Sequence, residues 1–296
     1  MTHLKKKDLN TLGIFVLFII PALGAILLSV EIPFMMSVIY SFTKWNGIDR
    51  IPVFIALENY RELFTDDPDM MYALVFTLEQ TVLRVILTNI IALLLAVFLD
   101  GEIRGKNVLR AAFYVPNIIS LIVIGYIWFF VFSRGFNSFY QYVQFPPLML
   151  SWLGDAKMAF FSVLIVSIWQ SIGFYMVIYI AGLQVIPRDV IEAAMIDGAG
   201  GIARFFRITI PLIMPSITVA VFHSVSNSLK SFDVIFSLTN GGPGHSTTSI
   251  ALDIYRTAFV TSRFGYGTAK SVVLFLLILL FTFFQVKFFK AREVEV

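Results

Sequence analysis

The apolar positions of this 296-residue chain gather into six long stretches, near 12–40, 77–99, 109–132, 159–183, 212–238 and 269–290, with shorter polar segments between them. Each exceeds the roughly 20 residues that carry an α-helix across a bilayer. The pattern predicts an all-α integral membrane protein with six transmembrane helices. The first stretch is the longest and contains Pro21 and Pro33, so it should kink or tilt. Its opening, "KKKDLNTLGIFVLFIIPALGAILL", has the outline of a signal peptide. The apolar run is too long for one, no small-residue cleavage site follows it, and five more stretches come after, so it is read as a span.

The polar positions set the orientation. Lys5, Lys6 and Lys7 precede the first span, and Arg104, Lys106 and Arg110 separate the second from the third. Arg188, Arg204 and Arg207 lie between the fourth and fifth, and Lys287, Lys290 and Arg292 close the sixth. Six spans put all four groups on one side, which the positive-inside rule makes the cytoplasm, with both termini there. The opposite loops are longer and carry acids such as Asp66, Asp67 and Asp69.

Composition agrees with a bilayer environment: 58% of residues are hydrophobic, 14% are charged and mean hydropathy is +0.85. A soluble chain of this length needs more charge on its surface. The absence of cysteine excludes disulfides and thiolate metal sites. The net charge of +3 comes with no basic-aromatic patch of the nucleic-acid kind. No repeat, low-complexity tract or Pro/Gly/Ser linker divides the chain, so residues 1–296 are expected to form one transmembrane domain. No nucleotide-binding P-loop is present; "GEIRGKN" at 101–107 has the wrong spacing and lacks a hydroxyl after the lysine. HExxH and GxSxG are absent, and His3, His223 and His245 are scattered. No acid, base and nucleophile set supports a membrane enzyme.

One polar segment is more than a connector. "VIEAAMIDGAGGIARFFRITIPL" runs from Val190 to Leu212, after Pro187 stops the fourth span. Asp189 is expected to cap a short helix in a box-like pairing with Glu192. Ala193 and Ala194 favour helix and let another surface approach the backbone. Asp197-Gly198 should end it, with Gly198 as a left-handed cap. A second short helix should reach Thr209, and Pro211 and Pro215 should start or kink the fifth span. The plain alternative is an amphipathic interfacial loop.

The spacing carries a resemblance. Glu192, Ala193, Ala194, Gly198, Ile208 and Pro211 match the EAA loop of binding-protein-dependent ABC importer permeases, with Ile210 where that family usually has Leu. "YSFTKWNG", "ENYRELF", "RAAFYVPNIIS", "KSFDVIFSLTNGGPG" and "IYRTAFVTSRFGYGTAKSVVLFLL" are similar to the carbohydrate-uptake, maltose-type branch over nearly the whole chain. The resemblance implies a type I importer permease bundle whose loop at about 188–211 is a coupling helix for a cytoplasmic ATPase. It implies a second permease subunit, usually a different chain, two ATPase copies that hold ATP and Mg, and an extracytoplasmic sugar-binding protein. No cofactor is expected on this chain.

A sugar site needs polar and aromatic side chains facing a wet cavity. His223, Asn227 and Ser231 recur at i, i+4 and i+8 in the fifth span, and Ser167, Gln170, Ser171, Phe174 and Tyr175 in the fourth. Family similarity points to Gln170, Tyr175, Asn227 and Ser231 as sugar-facing; interhelical hydrogen bonding needs the same residue types. His223 reads as a packing or hydrogen-bonding residue. Lys230 and Asp233, three apart, could pair on one helix. "TNGGPG" at 239–244 is turn chemistry, expected on an outer loop that meets the binding protein. Arg84, on a stripe with Gln80 and Thr88, wants a partner. Glu31 at similar depth is one; snorkelling, or attraction of an acidic sugar, are others.

An ion-coupled secondary transporter is the competing reading. It predicts intramembrane acid or histidine relays and paired broken helices, whereas the deep acids here are nearly confined to Glu31 and Glu79.

Overall fold

The computed structural model describes residues 15–101 and 103–291; Lys5, Lys6, Lys7 and Arg292 lie outside the described residues. Helix α1 spans Phe15–Tyr40. A two-stranded antiparallel hairpin follows, β1 (Thr43–Lys44) and β2 (Val53–Phe54). Next come α2 (Glu58–Thr65), α3 (Pro68–Asp100), α4 (Lys106–Ile118), α5 (Leu121–Val143) and α6 (Ala156–Val185). The chain continues through α7 (Arg188–Ile196), α8 (Gly201–Leu212) and α9 (Met214–Leu229). Helices α10 (Asp233–Leu238), α11 (Ile250–Tyr255) and α12 (Phe264–Lys290) complete it.

By length and composition α1, α3, α5, α6 and α12 can each cross a membrane, and the pair α8–α9 supplies a sixth crossing if counted as one span. Local chemistry sets several boundaries. Asp67 accepts from the Met70 amide (2.9 Å) with Pro68 in the first turn, so α3 starts nine residues before the apolar stretch that announced it. Asp155 does the same for Met158 (2.9 Å) at the start of α6. The far end of α6 is fixed by Pro187, which pushes Ile186 out of the helical region to ψ 122°. The third apolar stretch is split between α4 and α5, because Ile119 and Ser120 are extended at ψ 140° and 132°.

The chain divides into two compact units, residues 1–66 with 254–273 and residues 67–253 with 274–296. The first gathers three of the segments singled out in the sequence: "YSFTKWNG", "ENYRELF" and the stretch from Ile254. The Asn59 amide donates to the carbonyls of Ser41 (2.8 Å) and Thr43 (2.9 Å), and the Ser41 and Tyr60 hydroxyls meet at 2.7 Å. Arg263 and Glu62 form a two-pronged ion pair at 2.8 and 2.6 Å. Trp45 packs against the edge of Phe264 with ring centroids 5.1 Å apart.

In the second unit α3, α6 and α9 share a core of Ala92, Ala96, Leu99, Ile172, Tyr175, Met176, Tyr179, Ile180 and Ala220. Small residues let the backbones approach, the usual solution where lipid offers no hydrophobic drive between helices. A Cβ on Gly173 would collide with the backbone of Phe113 and Tyr114 on α4, and one on Gly125 of α5 with Ser237 on α10. Phe132 stacks on Trp152 (centroids 5.2 Å apart), while Trp128 meets Trp169 edge-on at 5.5 Å.

Candidate coupling loop and translocation cleft

Both candidate sites lie in the second unit. The loop that follows α6 is a helix-turn-helix. Pro187 occupies the N-cap position of α7 and no side chain caps that end; Asp189 lies within the first turn. This corrects the expected Asp189–Glu192 box. The proline fixes the extended entry by itself, so the helix starts two residues earlier than an Asp189 cap would set it.

The other end of α7 follows its sequence. Asp197 is the C-cap and Gly198 adopts φ +78°. The Gly198 amide donates to the Met195 carbonyl (3.1 Å) and the Ala199 amide to the Ala194 carbonyl (2.9 Å), the two bonds of a Schellman motif. Nothing lies within 4 Å of where a Gly198 Cβ would stand, so the glycine is required by backbone conformation and not by crowding.

Helix α8 holds Ile208 in a widened turn, Phe205–Thr209, and Pro211 near its end; it then meets α9 at 71° across Ile213. Pro211 and Pro215 each remove a backbone donor around that bend. Glu192 and Ala193 face outward and Ala194 inward. Several apolar side chains of the loop stand bare, Ile196 at 86% and Ile202 at 79% exposure the most so. Behind the loop a cavity of about 1020 Å³ is lined by Asp100 and Lys106, by Gln184, and by Glu192, Arg204 and Phe205.

Farther along the same helices is a smaller cleft of about 170 Å³. It brings together Gln170 and Tyr175 of α6, Asn227 of α9 and Ser231 beyond it, the four residues singled out in the sequence, with Arg84 of α3 and Asn117 of α4. His223 organises one wall. Its Nδ1 lies 3.2 Å from the Tyr175 hydroxyl and 3.3 Å from the Asn227 amide, and its ring packs on Phe174 with centroids 4.8 Å apart. Ser171 turns its hydroxyl back to the Ser167 carbonyl (2.7 Å), within its own helix. The cleft therefore offers amides, hydroxyls, an imidazole and aromatic faces, the groups that bind polyhydroxylated ligands.

The end of α9 departs from expectation. The helix stops at Leu229, so the i, i+4, i+8 stripe does not continue to Ser231 as helix. The Ser249 hydroxyl takes the Ser231 carbonyl at 2.7 Å, and Phe232 leaves the helical region at φ −131°, ψ −60°. Lys230 and Asp233 consequently sit on opposite sides of a break, and no ion pair joins them.

Sequence reasoning missed the network beside the cleft. Tyr179 donates to Asn89 Oδ1 at 2.6 Å, and the Asn89 amide donates to Ser224 Oγ (2.9 Å) and to the Val85 carbonyl (2.8 Å). These bonds tie α6, α3 and α9. The available signal was an amide inside the apolar run "VILTNIIALLL", where an unpaired polar group is costly. The "TNGGPG" turn is knit by Thr247, whose hydroxyl donates to Thr239 Oγ1 (2.8 Å) and the Gly242 carbonyl (2.7 Å).

A helical membrane protein with a polar cleft among its spans, and a short exposed helix-turn-helix interrupting them, is built as the membrane-spanning part of a transporter. The chain belongs to the family of binding-protein-dependent transport system inner membrane components, whose model matches residues 88–293. It is 41% identical over 279 residues to a probable starch degradation products transport system permease protein, AmyD, of Thermoanaerobacterium thermosulfurigenes, covering 94% of each chain. It is 34% identical to the multiple sugar-binding transport system permease protein MsmF of Streptococcus mutans, covering 88% of this chain and 90% of that one. A bacterial alginate ABC transporter, solved in complex with an alginate pentasaccharide-bound periplasmic protein, contains a chain of the same fold, with TM-score 0.80, 20% identity and 94% of each chain covered. The chain is thus a permease subunit of an ABC importer, not an ion-coupled carrier.

Proposed function

We propose that this subunit moves a sugar or oligosaccharide, handed over by an extracytoplasmic binding protein, through a cell membrane of bacterial type. The transport names of its relatives support a carbohydrate cargo, as do the amide, hydroxyl and aromatic groups of the cleft. The sugar meets Gln170, Tyr175, Asn227 and Ser231 during passage. A second, different permease chain completes the pathway, and both termini face the cytoplasm, as the distribution of Lys and Arg requires.

ATP and Mg are held by two copies of an ATPase subunit, and this chain contributes the docking element. Glu192, Ala193, Ala194, Asp197, Gly198, Ile208 and Pro211 form it. The carrying observation is the contrast within α7 and α8: Ala194 is buried at 6% exposure, while Ile196 and Ile202 stand almost fully exposed and Glu192 is exposed with them. An apolar, charged-rimmed projection of this kind fits a protein groove. A nucleotide cycle that moves the groove then moves α7, and α8 with its bend at Ile213 passes the displacement to α9 and the cleft wall.

The test is uptake of a labelled oligosaccharide in proteoliposomes holding the assembled importer. Glu192→Lys reverses charge at the docking surface. It is expected to leave binding by the external protein intact and to abolish ATP-driven uptake. Unchanged uptake, with the ATPase still bound, would overturn the docking assignment.

A further inference from the structure

Arg84 lies at the midpoint of α3, sixteen residues from both Pro68 and Asp100. The apolar stretch of this helix begins near residue 77, so Arg84 lies about 10 Å of helix inside it at 1.5 Å per residue. Arg84 lines the cleft together with Asn117, Gln170, Tyr175 and Asn227, all neutral groups. The cleft's other charged lining residues are Lys230 and Asp233, and Arg110 pairs with Asp100 elsewhere in this unit. Two cations and one carboxylate thus line a space of about 170 Å³, and among the described residues of its own unit no ion pair joins Arg84 to a carboxylate.

An ionisable side chain deep in a membrane protein is retained where it serves a pathway or a partner. Guanidinium presents paired N–H donors in a plane that matches a carboxylate and gains most from one where water is scarce. We propose that Arg84 is a specificity-determining residue that favours oligosaccharides bearing a carboxylate, uronate-type sugars, over their neutral counterparts. Lys230, more exposed on the same cleft, adds a second attraction. This inference rests on the reading of the chain as a sugar importer and narrows its substrate class.

The experiment uses the complete importer, with its second permease and ATPases, in nanodiscs without the external binding protein, so that the binding protein's own preference does not intervene. Saturation-transfer NMR compares matched trisaccharides that differ only at C6, hexose against uronate, across several linkages. The expected result is at least tenfold tighter binding of one uronate trimer than of its hexose match, weakening as salt rises. Arg84→Gln, which keeps hydrogen bonding and loses charge, should erase the preference, weakening uronate binding at least tenfold more than hexose binding. Arg84→Lys should restore part of it, which guards against simple misfolding. Hexose binding equal to uronate binding in the unaltered complex, or equal loss of both in Arg84→Gln, would overturn the proposal while leaving sugar import standing. Binding of no trisaccharide of either kind, with uptake of a different solute class, would instead remove the sugar reading. Glu31→Gln should leave the preference unchanged; loss of preference equal to that in Arg84→Gln would assign Arg84 to an acid of this chain and overturn the proposal.

Discussion

In the middle of α6 a Cβ on Gly173 would run into the main chain of Phe113 and Tyr114, whereas just past α7 nothing stands within 4 Å of the corresponding position on Gly198. The first glycine makes room for another helix. The second makes a conformation, φ +78°, that closes a helix end and faces outward. The same contrast runs through their surroundings. Beside Gly173 along α6 stand buried Ser171, Ile172 and Tyr175; near Gly198 in the chain Ile196 and Ile202 are bare to the outside. A permease thus has a region that must be right before the chain can assemble, and a region whose purpose appears only when something binds it.

Substitutions can break this contrast, beginning with the strongest. Gly173→Leu forces a branched side chain into the α4 backbone and should cost about 3 kcal/mol or more, at the upper end of overpacking. Loss of the folded protein from the membrane, read by detergent-extracted yield and gel filtration, is expected. Gly198→Val should cost less, about 1–2 kcal/mol, because only the left-handed conformation is penalised. The complex should still be extracted as a folded permease, yet ATP-driven uptake should vanish. Gly198→Asn, which tolerates the same φ, should retain most uptake. If Gly198→Val were as poorly extracted as Gly173→Leu, the two glycines would not differ in kind.

Tyr179→Phe removes the 2.6 Å donor to Asn89 and leaves a buried acceptor unpaired. The expected loss is about 1–2 kcal/mol, measured as a lower thermal midpoint of the purified complex, with the docking loop unaffected. Ile196→Ser should be the mildest for the fold, within about 0.5 kcal/mol, as for exposed positions generally. Its effect should appear instead as weaker retention of the ATPase subunit during purification. A stability loss for Ile196→Ser equal to that of Tyr179→Phe would mean that α7 is part of the core.

Much of the site was readable from the chain. Gln170, Tyr175, Asn227 and Ser231 were picked by spacing and similarity, and they share one cleft. Gly198 was picked for its backbone, and its φ and its two capping hydrogen bonds agree. Asn89 and Tyr179 were overlooked, because a lone amide and a lone phenol on different helices announce nothing until 90 residues of separation are folded away. The break after Leu229 was also hidden. Ser231 loses helical geometry where the hydroxyl of Ser249, eighteen residues on, claims its carbonyl.

The sequence by itself determined the membrane class, the helical make-up and the place of the exposed helix-turn-helix at 188–212. Those follow from local quantities: the length a bilayer demands, and the φ that a glycine permits. Tertiary structure alone decided which polar groups lock the helices together and that Arg84 and Asn117 join the four chosen residues in one cleft. A side chain's partners come from elements distant in the chain, and only packing brings those elements within hydrogen-bonding range.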